Sequence, residues 1–333
     1  MNGNGNKRNI AVLIAAFAAV YIFWGSTYLA IKYTIETLPP FLMAGARFAF
    51  AGSVLFLLAR MSKEYEPPRA EHWRTSFIVG TFLLLGGNGA VVLAQHYISS
   101  SLSALLVATE PLWIVILSWL WLRNGRPNWK VIAGLLIGFV GVWLLITGQP
   151  ETASGPGGRG QYIGTFAVIL GALSWATGSI YGLKAPMPRS SIMAAGMQMI
   201  AGSVSLLVVG LLRGEHSTFD PATVSANSLF ALLYLIIFGS LIGFTAYSWL
   251  LKNAQPAMVA TYAYVNPVVA VLLGWGIAGE SLTAQMLIAA FIIVVSVALI
   301  TQSKTDGKNE PDLKSVNKTN GSGCDRPAFS TNA

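Results

Sequence analysis

Long apolar runs, separated by short polar stretches, set the rhythm of this chain. A membrane-crossing helix needs about 20 mainly apolar residues. Ten segments meet that requirement: 10–31, 41–60, 76–97, 103–122, 130–147, 162–184, 191–213, 228–251, 257–278 and 284–302. Some of these runs hold residues that a hydrocarbon environment does not favour. The stretch "TYAYVNPVVAVLLG" (261–274) carries two tyrosines, an asparagine and a proline. Pro267 has no backbone N–H and so deprives the carbonyl of Ala263 of its helical donor, which something else must replace at membrane depth.

Composition agrees with the pattern. Of 333 residues, 54% are hydrophobic and 10% charged, whereas soluble chains carry about 25% charged residues. The sequence therefore predicts a polytopic, all-α membrane protein. The first run follows Lys7 and Arg8 and exceeds the roughly 7–15 apolar residues of a signal-peptide core, so it reads as a signal anchor and first span. The net charge of +8 is scattered singly between apolar runs. It forms no basic face, and no nucleic-acid partner is expected.

The basic residues instead report topology. With the N-terminus inside, the inside segments hold 17 of the 21 Lys and Arg residues, among them Arg60, Arg69, Arg74, Arg123, Arg126, Lys184 and Lys252. The outside segments hold only Lys32, Arg159 and Arg213, and Arg47 lies within the second span. The positive-inside rule then places both termini in the cytoplasm.

The two halves also repeat. "AGSV" occurs at 51–54 in the second span and at 201–204 in the seventh; Trp24 of the first span matches Trp175 of the sixth; Pro111 of the fourth matches Pro267 of the ninth. Five spans per half is an odd number, so the second half must enter from the opposite side. The expected architecture is two inverted five-helix repeats related by an axis in the membrane plane, as in secondary transporters. The expected boundaries are a cytoplasmic N-terminus (1–9), a first repeat (10–147), a Gly/Pro-rich outside linker (148–161), a second repeat (162–302) and a disordered cytoplasmic tail (303–333).

Candidate chemistry follows from depth. At 1.5 Å per residue, Glu110 falls roughly 4 Å and Asn266 roughly 2 Å from the centres of their spans. Each precedes a proline, Pro111 and Pro267, expected to break its helix beside a cavity, although a packing kink is the competing reading. A carboxylate at the centre of a span costs roughly 2.5–3.5 kcal/mol on insertion scales. Glu110 is therefore a candidate for proton coupling, with structural packing or pairing as the alternative and Arg47 as its natural partner. Aromatic and polar residues share faces at i, i+4 spacing: Trp24 with Tyr28, Tyr262 with Asn266, and Gly243 with Tyr247. Such pairs could wall a pocket for an amphipathic solute. Asn88, in "GGNG" (86–89), is a further cavity candidate. Trp119, Trp121, Trp129 and Trp143 read as interfacial.

Other motifs are missing from the sequence. It has no G-x-x-x-x-G-K-[ST] loop and no H-E-x-x-H, its histidines fall in three separate connecting regions, and its single cysteine, Cys324, is in the tail. No catalytic constellation, metal site or cofactor is expected.

The motifs "WGSTY" (24–28), "PPFLMAGARF" (39–48), "GNG" (87–89), "SWATGSIYG" (174–182), "YAYVNPVVAVLLG" (262–274) and "GESL" (279–282) together resemble the drug/metabolite transporter superfamily. The likeness is to its EamA-type ten-helix branch, and within that to the inner-membrane drug/metabolite exporter group, over residues of about 10 to 302. The resemblance implies a central cavity built from the first four helices of each half and export of small metabolites. Carried over by position, it implies cavity or gate roles for Trp24, Ser26, Tyr28, Arg47, Trp175, Tyr262 and Asn266. Two positions depart from it: Glu110 stands where relatives are usually apolar, and Gln95 stands where an acidic residue is familiar. The expected function is a non-enzymatic secondary exporter of amino acids or amphipathic and xenobiotic compounds, with the lipid bilayer and a small-molecule substrate as partners. A membrane-embedded enzyme and a non-transporting receptor or scaffold are the alternatives.

Overall fold

The computed structural model describes residues 3–62, 65–122, 129–147, 159–254, 259 and 261–305. Cys324, most of the predicted tail and residues 148–158 of the predicted linker lie outside the described residues. Among the described residues the chain is helical, with no strand.

Eight helices are long and apolar enough to cross a bilayer: α1 (Ile10–Thr34), α2 (Pro40–Arg60), α3 (Ala70–Ala94), α4 (Ser100–Trp121), α5 (Trp129–Thr147), α6 (Arg159–Lys184), α7 (Ser191–Leu212) and α8 (Ala226–Tyr247). Two more, α9 (Tyr262–Gly276) and α10 (Ala284–Thr305), contain shorter apolar stretches, Val265–Gly276 and Ala284–Ser296. Helix starts follow local chemistry. Pro40 opens α2, where a missing N–H costs nothing. Ser99, Ser190 and Ser225 each accept a backbone N–H at the start of α4, α7 and α8. Helix α6 begins at Arg159, inside the stretch read as linker, with the Tyr97 ring packed over Gly160.

Each helix of the first half packs on one of the second, with contacts descending along one helix as they ascend along the other. On α2 and α7, Gly45 faces Leu207 and Gly52 faces Met199 and Gly196. On α5 and α10, Ser296 Oγ donates to the Gly134 carbonyl at 2.7 Å, Gly141 faces Ile293, and Gln285 Nε2 donates to the Leu144 carbonyl at 3.1 Å. On α3 and α6, Ser174 Oγ donates to the Phe82 carbonyl at 2.8 Å while Gly171 meets Ala90 and Gly164 meets Ala94. Helix α1 lies on α8 through Trp24, Ser26 and Tyr33, and α4 lies on α9 through Ser101 and Gly274. Small residues recur at these crossings because lipid tails offer no hydrophobic incentive for association, so close backbone approach must supply it. Trp119, Trp121, Trp129 and Trp143 are exposed on the outside of the bundle.

Three helices widen where they pass the centre of the bundle. Val20–Trp24 in α1, Thr81–Gly89 in α3 and Leu235–Ile242 in α8 are π-helical, a geometry concentrated at functional sites. Helix α4 is interrupted instead: it turns at Ala108 and Thr109 and resumes at Glu110, with Pro111 second in the new segment. Helix α9 runs unbroken through Pro267, so the break expected at that residue is not found. A proline is tolerated inside a membrane helix when neighbours satisfy the carbonyl it frees.

The α2–α7 crossing gives a test. A Cβ at Gly52 would lie 2.7 Å from Met199 Cβ and 2.9 Å from the Gly196 carbonyl oxygen, whereas one at Gly276 meets nothing within 4 Å. Gly52→Ala should cost about 1–3 kcal/mol by overpacking and lower the thermal unfolding temperature of the purified protein, while Gly276→Ala should not lower it.

Candidate functional site

The widened turns of α1, α3 and α8 and the break in α4 surround a cavity of about 100 Å³. Trp24, Tyr28, Arg47, Asn88, Glu110, Trp175, Tyr262 and Asn266 all line it. The two tryptophans are set alike: Trp24 lies against Gly243 of α8, and Trp175 lies against Gly87 of α3. In each case the missing Cβ makes room for an indole at the cavity wall. The Trp24 Nε1–H donates to the Gly239 carbonyl at 3.2 Å.

One wall is an aromatic cluster. The Trp24 ring lies 5.0 Å from Tyr247, 5.3 Å from Phe244 and 5.4 Å from Tyr262, the last edge-on at 90°. Tyr247 and Tyr262 are themselves 5.8 Å apart at 90°. Tyr247, expected at the cavity, does not line it and packs behind Trp24 and Tyr262 instead. Ser26 does not join this group; its hydroxyl pairs with the Tyr234 hydroxyl at 2.6 Å and donates to the Phe23 carbonyl, fastening α1 to α8.

Glu110 and Arg47 both line the cavity and both are buried, yet they are not paired with each other. Glu110 Oε1 accepts a long bond from the Tyr262 hydroxyl at 3.4 Å. The Arg47 Nε–H donates to Ser240 Oγ at 2.9 Å, its guanidinium lies 4.6 Å from the centre of the Phe48 ring, and its Nη1 has no hydrogen-bond partner. Gly239 makes this placement possible, since a Cβ there would sit 3.0 Å from Arg47 Nη2. Asn88 Oδ1 is likewise buried without a donor. The Asn266 amide nitrogen donates to the carbonyls of Tyr21 and Tyr262, at 3.2 and 3.3 Å, once the amide is turned to face them.

Behind Glu110 lies a second cavity of about 20 Å³, lined by Glu110, Asn266, Ala263 and Pro267 among others. That is room for about one water molecule. A water there would lie beside both the carboxyl and the carbonyl of Ala263 that Pro267 leaves without its helical donor.

The sequence reading missed a clasp at one end of the bundle. Glu280, in the turn between α9 and α10, reaches the start of α4, where its two oxygens accept the backbone N–H groups of Ser100 and Ser101 at 2.9 and 3.0 Å and both serine hydroxyls. Lys32, near the end of α1, donates to it at 2.9 Å. At the same end, Glu215 follows α7 and accepts the N–H groups of Phe41 and Leu42 at the start of α2, at 3.0 and 2.9 Å. A carboxylate is favoured at a helix N-terminus because it meets unpaired donors and the positive end of the helix dipole. Burial pushes the Glu280 carboxyl up, but bonds from Ser101, Lys32 and Ser100 together outweigh it and hold the group down at about 2. The only sequence signals were the "GESL" motif and the run of serines at 99–101, which nothing in the sequence joins.

The EamA-like transporter family profile matches residues 10–147 and 162–302. The chain belongs to the EamA-like transporter family. It is 37% identical over 299 residues to the uncharacterized inner membrane transporter YedA of Escherichia coli strain K12, covering 89% of this chain and 93% of that protein. The uncharacterized transporter YvbV of Bacillus subtilis is 27% identical over 299 residues, covering 90% and 93%. A solved structure, titled only a crystal structure of protein, shares the fold with a TM-score of 0.59 at 22% identity, covering 90% of this chain and 99% of its own. This EamA-family chain is thus a multi-pass membrane protein of a transporter family. Its cavity is lined by residues of both matched segments.

The Glu280 clasp has a pH signature. A carboxyl held below its ordinary value of 4.5 adds stability that is complete above that value and is lost as pH falls toward about 2. Thermal unfolding in lipid nanodiscs should therefore show a Glu280 contribution that is flat from about pH 8 to about pH 5 and declines on further acidification. Glu280→Gln should lower the melting temperature at neutral pH and shrink the acid-side slope; an unchanged melting temperature and slope would contradict the clasp.

Proposed function

We propose that this protein is a secondary active exporter of small organic metabolites, amino acids or amphipathic and xenobiotic compounds, working by alternating access across the plasma membrane. The observation that carries this reading is the central cavity with Arg47 and Glu110 among its lining residues, formed by helices of both halves. Buried polar groups without partners are costly. A site that keeps Arg47 Nη1 and Asn88 Oδ1 unsatisfied is suited to a solute or water that satisfies them in turn.

In this reading the ten helices form two inverted repeats. The pairing of α2 with α7, α4 with α9 and α5 with α10, and the matched Trp24–Gly243 and Trp175–Gly87 contacts, are what a two-fold axis in the membrane plane would produce. Both termini lie in the cytoplasm, as the distribution of Lys and Arg indicates, so the end held by Glu280 and Glu215 faces outside. The boundaries are those of the sequence reading: the two repeats at 10–147 and 162–302, joined by an outside linker.

Glu110 supplies the coupling. Its carboxyl takes a proton from the outside, releases it to the cytoplasm after the cavity reorients, and is then free for the outgoing solute. The break at Ala108–Thr109 and the small cavity lined by Glu110, with room for about one water, support that role.

Purified protein in proteoliposomes should show saturable solute flux accelerated by an opposing proton gradient. Glu110→Gln should abolish at least nine-tenths of that acceleration while counterflow at equal pH persists. A Glu110→Gln protein that kept its full response to the gradient would remove the coupling role.

A further inference from the structure

We propose that a groove at the end of the bundle opposite the Glu280 clasp binds one anionic phospholipid, with Lys184 meeting its phosphate and Trp121 and Tyr181 flanking its glycerol and upper acyl chains. Helix α4 ends at Trp121 and α6 at Lys184. Between these two ends lies a groove of about 240 Å³, lined by Trp121, Ile180, Tyr181, Lys184, Ala185 and Pro186. In the orientation proposed above this is the cytoplasmic end, so the groove lies at the headgroup level of the inner leaflet. It shares no lining residue with the central cavity.

Charge selects the occupant. Among the described residues Lys184 has no ion pair, and no acidic side chain lines the groove. The neighbouring pocket, which Met187 and Arg189 of the α6–α7 connection help to line, shows the contrast. Its two arginines already have acidic partners, Arg69 with Glu71 and Arg189 with Glu66, each at 3.3 Å. An anion there would meet Glu66 as well, whereas at Lys184 it meets only positive charge.

The walls select a lipid over a small free anion. Trp121 and Tyr181 are exposed beside Lys184, and Ile180 belongs to the packed α4–α6 seam with Leu117 and Ala176. Water satisfies an ammonium but not that apolar surface, whereas an amphipathic anion satisfies both. Tryptophan and tyrosine favour this depth because the ring meets acyl chain while the polar tip meets headgroups. Basic pockets between helices at the cytoplasmic face bind anionic headgroups by the same means. The groove joins α4 of the first half to α6 of the second, and these helices carry Glu110 and Trp175 into the central cavity. A lipid bound there therefore bridges the halves at the end away from Glu280.

The test uses the full chain in phosphatidylcholine nanodiscs doped with a trace of phosphatidylglycerol or phosphatidylcholine that carries a photoreactive diazirine close to its headgroup. Adducts are mapped by peptide mass spectrometry. Trp121 and the segment 180–186 should take up about fivefold more of the phosphatidylglycerol probe than of the phosphatidylcholine probe, the gain expected for one basic group facing an anionic lipid. Lys184→Gln should lower that labelling to the phosphatidylcholine level, Lys184→Arg should keep it, and Arg189→Gln should leave it unchanged. Equal labelling by the two probes would mean ordinary surrounding lipid and would overturn the site. A preference that survives Lys184→Gln, or that is lost with Lys184→Arg or Arg189→Gln, would overturn the assignment to Lys184. Loss of the preference in excess inorganic phosphate at matched ionic strength would identify a free-anion site and overturn the lipid. The comparison of probes on the unmodified protein decides even where a variant fails to fold. None of these outcomes depends on transport, so failure of the exporter reading would leave the site standing.

Discussion

Charge and backbone in hydrocarbon must be satisfied by the protein itself, and in this molecule carboxylates seated on helix N-termini do much of that satisfying. Glu280 closes the start of α4, and Glu215 closes the start of α2. In both cases the glutamate comes from the second half and the helix from the first, so the same bonds that quiet exposed N–H groups also join the halves. Lys32 adds α1 to the first of these junctions. With that end fixed, the long α2–α7 and α3–α6 crossings set the distance between halves, and the cavity occupies the space that the π-helical turns leave between them. At the start of α7, the described contacts are of a different kind: Ser190 caps its own helix, and Arg189 meets Glu66 in an exposed pair. Exposed pairs contribute little.

Arg47 Nη1, Asn88 Oδ1 and a weakly bonded Glu110 are short of partners at the cavity, as are side-chain atoms of Ser76, Gln95, Ser103 and Trp113 elsewhere in the bundle. Such exceptions are where function is expected, because stability alone would have removed them.

Much of the fold was legible in the sequence. Hydropathy located the helices, since length and apolar content are local properties. The repeated "AGSV" and the matched tryptophans were visible too, and the structure buries Ala51 and Ala201 and sets both indoles against glycines. Glu110 and Asn266 were found by depth, the Trp24–Tyr28 face by spacing and Trp175 by its match to Trp24, and all line one cavity. What the sequence could not show were meetings across the chain. The Glu280–Ser100 junction spans 180 residues, and no periodicity connects them. The same limit explains Ser26, whose helical face suggested the cavity but whose hydroxyl found Tyr234 on α8. It also explains Arg47, whose expected partner Glu110 is replaced by Ser240. Pro267 does not break its helix, which runs from Tyr262 to Gly276; a proline removes one helical bond without having to end the helix.

The central claim is that one cavity opens alternately to the two sides of the membrane. Val107 lines it, so a Val107→Cys protein that also carries Cys324→Ser offers a single reporter there. Labelling by a membrane-impermeant maleimide, compared in sealed right-side-out and inside-out vesicles, tests the claim directly. The account predicts modification from both sides, at rates that shift in opposite directions when a transported solute is added. Modification from one side only, or from neither, would contradict it.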